Sequence, residues 1–461
     1  MLSDDTLSAT VPPTPADPDE AARWAHTRLR QRLLSGHWAE DVRQRVRLRV
    51  GETRASAWGI GKPGGVDLSG NLFAQVSSDL STLYNRPPIW SSTLDPSGAR
   101  KISDTLQEAG WVSMMQRLER DTLGCREYLL KVEPRIGGGV ALRPVVPDFV
   151  EALADPIERD MPIRVDEWQL RELDGRTVWT RTRTDARDGT VRVYSASGED
   201  ITSETGESWR PEWIDSSGSP ILPYVLFHAQ RTGYLWDPWE GVGLVEGTLT
   251  NSVNLTHLQH AITQAANPQR YMAGLEPIGE ALEDVSGRAP RRVVMSDPAV
   301  ILQLDRIHGY DGQPMVGQFD AGADIGVLTE SVERYERRVT ASASLAGDLM
   351  RVSGDPRSGY AVAISREGQR EASERYREEF ARSDRMLARI VACILNRQGE
   401  SLPETGYEIE YQRLPLSQGE RLQLLQELQT AMDMGLISQQ QAYARYNGIT
   451  EAEAAEALQE D

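Results

Sequence analysis

The sequence predicts an α+β chain in which a β-rich first half gives way to long helices. Three observations carry that expectation. From Cys125 to about residue 230 the apolar residues recur with a period near two, and Gly137-Gly138-Gly139, Asp174-Gly175 and Asp188-Gly189 separate the runs, all of them turn formers. From residue 243 onward the spacing becomes three to four, the period of a helix. All 11 tryptophans lie between Trp24 and Trp239, which puts a compositional seam near residue 240.

The 461 residues are 39% hydrophobic and 26% charged, a globular composition. The 69 acidic and 50 basic side chains leave a formal charge of −19, and only Lys62, Lys101 and Lys131 are lysine. No apolar run approaches the ~20 residues that cross a bilayer, so no membrane association is expected. The first residues, MLSDDTLSATVPPTPADPDE, are acidic and Pro-rich, unlike a signal peptide. Cys125 and Cys393 cannot form a disulfide framework, which fits a reducing compartment. Bulk attraction to nucleic acid needs clustered Lys and Arg. The charge therefore excludes a DNA-coating protein, though not one that lets DNA slide past.

Along the chain, residues 1–18 are expected to be disordered. A helix from Pro18 puts Ala21, Trp24, Ala25, Leu29 and Leu33 on one face, and Gly36 stops it. Residues 59–70 form a loop, and one helix is expected from about Pro96 to Arg120. Next come a hairpin of Arg126–Val132 with Val140–Val146 and strands at Asp166–Leu173, Thr177–Thr184 and Thr190–Ser195. Two more strands are expected at Ser208–Ile214 and Ile221–Ala229, the whole forming an antiparallel meander. Residues 243–266 read as a helix with Val245, Leu249, Ser252, Leu255, Leu258, Ile262 and Ala265 on one face. Residues 268–323, punctuated by Pro277, Pro290, Pro298 and Pro314, read as a small α/β insertion. Asp324 to Leu345 is helical with a narrow seam through Ile325, Leu328, Val332, Tyr335, Val339 and Ser342, like that of a coiled coil.

Residues 346–357 break the pattern with two glycines and a proline. From Ser358 to Asn396 one helix extends ~58 Å at 1.5 Å per residue. Its charged middle predicts a helix that bridges solvent or packs on its own copies rather than entering a monomer core. A strand follows at Tyr407–Arg413. Ser417-x-x-Glu420, Ser438-x-x-Gln441 and Thr450-x-x-Glu453 are three capping boxes, with Gly435 and Gly448 closing the first two helices.

No catalytic pattern emerges, and no catalytic, cofactor or metal residue is assigned. HExxH, CxxC and G-x-S-x-G are absent. GIGKPGG at 59–65 is not GxxxxGK[ST], nor is it framed by a strand and a helix. His257 and His260 lie one helical turn apart, a spacing that suits two metal ligands; without a third ligand nearby they read as a polar helix face. Asn254-Leu255-Thr256 is a chance sequon, and both cysteines read as structural.

The order of elements resembles the portal proteins of tailed bacteriophages. The residues carrying the resemblance begin with Ile221-Leu222-Pro223-Tyr224-Val225 and the Tyr234…Asp237-Pro238…Gly241 turn, then the helix ending at Asn267-Pro268. They continue with Ser342-x-Ser344-Leu345-Ala346-Gly347 leading into Ser358-Gly359-Tyr360-Ala361-Val362-Ala363-Ile364. The tail Met434-Gly435-Leu436-Ile437-Ser438…Asn447-Gly448-Ile449-Thr450 completes the set. The likeness covers about 220–461 well, and earlier residues only by position and β-rich character.

The resemblance implies a homo-oligomeric ring, usually of twelve subunits, at one vertex of the virion capsid, assembled in the host cytoplasm. Double-stranded DNA would pass through its channel during packaging and ejection. The major capsid protein, the terminase large subunit and a head–tail adaptor would be its partners. In those terms 19–242 is a wing, 243–267 and 324–345 a two-helix stem, and 268–323 a clip. Residues 346–357 are a tunnel loop, 358–398 the tunnel-side helix, 399–416 a strand returning to the wing, and 417–461 a helical crown. Asp348, Met350, Arg351, Asp355 and Arg357 of the loop are then the DNA-channel residues. Arg351 and Arg357 either contact phosphates or solvate the loop. Arg288, Arg291 and Arg292 of the clip either meet the terminase or adaptor or pair with Glu280, Glu283 and Asp284 of a neighbouring subunit. Acidic excess in both channel-lining parts suits a conduit that does not grip its cargo. The alternative is another ring- or shell-forming head–tail structural protein. An enzyme would require a pocket of convergent titratable groups.

Overall fold

The structure, a computed structural model, describes residues 14, 15, 17–173, 175–237, 243–266, 270–273, 302–304, 315–318, 324–342, 359–412 and 418–447. In chain order the elements are α1 (Pro18–Ser35), α2 (Ala39–Val50), α3 (Glu52–Ala57), α4 (Leu72–Leu80), β1 (Ile89–Ser92), α5 (Pro96–Glu108), α6 (Trp111–Cys125), β2 (Glu127–Pro134), β3 (Val140–Val145), β4 (Val150–Ala154), β5 (Pro162–Leu173), β6 (Arg176–Asp185) and β7 (Thr190–Ser195). They continue with α7 (Thr202–Thr205), β8 (Tyr224–His228), α8 (Gly243–Ala266), β9 (Arg270–Ala273), β10 (Leu302–Leu304), β11 (Met315–Gln318), α9 (Ile325–Ser342), α10 (Gly359–Arg397), β12 (Tyr407–Glu410), α11 (Gln418–Asp433) and α12 (Gln439–Asn447). The fold is mixed α+β, and none of these helices is long and apolar enough to cross a membrane.

The chain divides into two compact units. One comprises 1–34, 74–241 and 344–461, the other 35–73 and 242–343. In the first unit, β4–β7 form the antiparallel meander, and β2 and β3 the hairpin closed by three glycines of positive φ. β8 does not continue the meander. It crosses back to pair antiparallel with β2, giving the order β3-β2-β8. The strand expected at Ser208–Ile214 is absent. Pro211, which has no N–H to give a ladder, opens a 3₁₀ turn instead, and a single bridge joins Ile214 to Pro220. The helix expected from Pro96 to Arg120 is two, broken at Gly110, whose φ of +73° glycine adopts without the strain a side chain would bring. Asp95 caps the first of them by accepting from the Ser97 N–H at 3.0 Å. β12 pairs antiparallel with β1.

The packing of α10 corrects an expectation. From Tyr376 onward this 39-residue helix forms the centre of the first unit's main core. Phe380, Leu387 and the run Ile390–Leu395 are buried, packed with Tyr84, Met115 and Phe227. The helix is both apolar and charged because its arginines reach outward to carboxylates. Arg382 meets Asp160 at 2.6 Å, and Arg385 meets Glu408 at 3.2 Å. On α1, Arg23 is buried where Ala25 was expected to be. It lies 4.1 Å over the Trp236 ring and donates to the Pro147 carbonyl at 2.9 Å. At the C-terminal side, Gly435 has φ +70°. The box of α12 is formed as expected, Gln441 N–H to Ser438 Oγ at 3.1 Å and Ser438 N–H to Gln441 Oε1 at 3.2 Å. Thr450 lies outside the described residues.

In the second unit α8 and α9 run antiparallel. Asn251 donates to Glu336 at 3.0 Å, and Gly247 lies against Val339, one turn further along each helix. A Cβ on Gly247 would stand 2.8 Å from both Val339 γ carbons, so glycine permits the approach. Residues 35–73, expected with the β-rich region, pack here instead. Arg45 pairs with Glu246 at 2.5 Å, Arg49 donates to Asn254 at 3.1 Å, and the Asp67 N–H donates to Thr256 Oγ1 at 2.9 Å. In 268–323 the described strands make one small mixed sheet, β10 parallel and β11 antiparallel to β9.

Candidate functional site

His257 and His260 project from one side of α8 towards Trp58, which follows α3. The Trp58 ring stacks on His260 (4.6 Å between centroids, 19° between planes) and meets His257 edge-on (5.0 Å, 85°). These rings wall a cleft of about 430 Å³ between α8 and α9, which α9 closes with Leu328, Val332, Tyr335 and Arg338. Helical spacing explains the arrangement: 254, 257, 258 and 261 share one side of α8, as 328, 331, 332 and 335 do on α9. Burial pushes both imidazoles below their ordinary pKa, and for His257 the charges of Arg49, His260 and Arg54 add to the effect. Among the described residues no carboxylate lines the cleft. Among the described residues no group of three His, Cys, Asp or Glu could hold a metal ion.

The first unit holds a second polar constellation. Asp384 of α10, wholly buried, accepts from the hydroxyls of Tyr84 (2.6 Å) and Tyr411 (2.5 Å), while its Oδ1 has no partner among the described residues. Nearby, the Glu119 carboxylate accepts from the N–H groups of Thr82 (2.8 Å) and Leu83 (3.0 Å). Burial raises the pKa of each carboxylate to about 7. The donors here are hydroxyls and backbone amides that fix the Thr82–Tyr84 turn to α6 and α10. A third cluster holds Asp160 between Arg231 (2.5 Å) and Arg382 (2.6 Å). Burial pushes its pKa up, but the bonds from the two guanidinium groups outweigh this and leave it lowered.

None of these groups was assigned a role from the sequence. Trp58 is far from the histidines in sequence, so spacing could not join them. Asp384 lies in a charged stretch that gives no sign of burial. Asp348, Met350, Arg351, Asp355 and Arg357 fall between Ser342 and Gly359, outside the described residues, as do Arg288, Arg291 and Arg292. GIGKPGG folds as consecutive turns between α3 and α4, with Lys62 N–H to Gly59 O and Gly65 N–H to Lys62 O. The two cysteines are free and buried, and burial pushes both thiols up, Cys393 to about 12. Neither is poised as a nucleophile.

No protein-family model matches the chain, and no curated protein matches its sequence.

Proposed function

We propose that this chain is a tailed-phage portal protein. It forms a ring, dodecameric in the sense the resemblance implies, through whose channel double-stranded DNA is packaged and ejected, and it docks the terminase and head–tail adaptor. The observation that carries the reading is the order and pairing of α8, the small sheet β9–β11, α9 and α10. Two antiparallel helices leave and return around a small inserted sheet, and a 39-residue helix follows after a short connection. The close approach of Gly247 to Val339 supports α8 and α9 as one stalk. The excess of acidic over basic residues, which leaves −19 per chain, suits a wall along which DNA slides rather than one to which it adheres. In this reading Arg351 and Arg357 of the tunnel loop face the DNA, and Arg288, Arg291 and Arg292 face the packaging and tail partners. Negative-stain class averages of the purified protein test it. A closed ring with a channel wide enough for duplex DNA supports the reading, and a particle of another symmetry contradicts it.

A further inference from the structure

The cleft between α8 and α9 has the chemistry of a ligand site, independently of the assembly proposed above. Its volume of about 430 Å³ falls in the range of small-molecule pockets, roughly 300–1,000 Å³. Its polar groups include one guanidinium (Arg338), two imidazoles (His257, His260), two amides (Asn254, Gln264) and the Ser331 and Tyr335 hydroxyls. Its apolar surface is partly aromatic, from Trp58 and Tyr335, with the Arg338 guanidinium 5.9 Å from the Tyr335 ring centroid. The Nε2 of His257 is buried without a hydrogen-bond partner among the described residues. In a chain where acids outnumber bases 69 to 50, a cleft of this composition selects its ligand by sign.

Elimination narrows the class. A cation or a zwitterion would face the Arg338 charge with no carboxylate among the described lining residues to offset it. A neutral lipid or sugar makes no use of the Arg338 charge. A bare inorganic anion leaves the aromatic walls unused. An anion attached to a flat ring satisfies both halves, the ring against Trp58 and Tyr335 and the anion against Arg338 and the histidines.

We propose that this cleft binds a nucleotide unit, with its phosphate on Arg338, His257 and His260 and its base against the Trp58–Tyr335 side. The unit is either a free mononucleotide or one residue of an unpaired strand. The base of duplex DNA is stacked and paired and does not reach such a cleft. The charged groups that act on His257 are Arg49 and Arg54 from α2 and α3, with His260 beside it; burial alone lowers His260, and Arg338 of α9 lines the same cleft. An anion seated against the imidazoles favours their protonated forms, so binding strengthens as pH falls through the histidine range.

Calorimetric titration of the full chain with dAMP, and separately with a single-stranded oligothymidylate, at about pH 6 and pH 8 tests the proposal. Saturable binding is expected, about threefold or more tighter at the lower pH. It should weaken about tenfold in Arg338→Gln, an exposed position that leaves the fold intact, and in Trp58→Ala. Binding of dAMP identifies a free nucleotide as the ligand. Binding of the oligonucleotide alone identifies a strand. The proposal is overturned if neither probe saturates, as it would be were the cleft sealed by a second copy of the chain. Binding that survives Arg338→Gln overturns it equally.

Discussion

The Tyr84 hydroxyl donates a 2.6 Å hydrogen bond to Asp384 Oδ2, joining the turn before β1 to the middle of α10. Tyr411 donates to the same oxygen at 2.5 Å. Three distant stretches of chain thus converge on one buried carboxylate, and the pKa of that carboxylate sets a pH dependence.

Burial raises Asp384 from its ordinary 3.8 to about 7, and Glu119 from 4.5 to about 7. The folded state therefore holds protons that the unfolded state has released. Their contribution is fully present below about pH 4 and is lost as pH rises through about 7, flattening above it. Denaturant unfolding at about pH 5 and pH 8 should show this unit less stable at the higher pH by a few kcal/mol at most. Asp384→Asn should flatten much of that slope. A variant with an unchanged slope would show that Asp384 does not hold the proton.

Asp160 should behave in the opposite sense. Its bonds to Arg231 and Arg382 lower its pKa against the effect of burial, so its contribution is present above about pH 4 and is lost as the pH falls further. Asp160→Asn should destabilise the first unit by about 1–2 kcal/mol at neutral pH, because two partly exposed guanidinium groups lose their shared carboxylate. The loss should shrink on acidification, as unfolding of wild type and variant at pH 7 and pH 3 would reveal.

Gly247→Ala should destabilise the α8–α9 pair by about 1–3 kcal/mol, although alanine favours a helix by about 1 kcal/mol over glycine. The added Cβ meets Val339 at 2.8 Å. Val339→Ala should rescue much of the loss, and a double-mutant thermal-unfolding cycle measures that coupling. Purely additive effects would mean that the two residues do not touch.

Phe380→Ala should cost about 3–5 kcal/mol. The side chain is fully buried and packs against the rings of Tyr84, Phe227 and Tyr376. Chemical denaturation would measure it. A cost under about 1 kcal/mol would restore the expectation that α10 stands outside the monomer core.

What was legible in the sequence was local. Gly137-Gly138-Gly139, Asp188-Gly189 and the Ser438/Gln441 box each act within a few residues, and the hairpins and helix they predict are present. Pairings over long separations were not legible. β8 and β7 have the same strand character, and only the packing of β8 on α10 and β2 decides that it leaves the meander. The role of α10 was misread because averaging over the helix hides Phe380, Leu387 and Ile390–Leu395 among charges, and the carboxylates that receive those charges lie elsewhere in the chain. For the same reason the sequence shows His257 and His260 as one polar helix face but not the Trp58 ring packed against it.

The central claim is assembly, and the mass and symmetry of the purified particle test it most directly. Native mass spectrometry combined with negative-stain class averages should give a closed ring of about twelve chains of 51.3 kDa each around an open channel. A chain that stays monomeric, or forms particles without a channel, under every condition of salt and concentration would contradict the account.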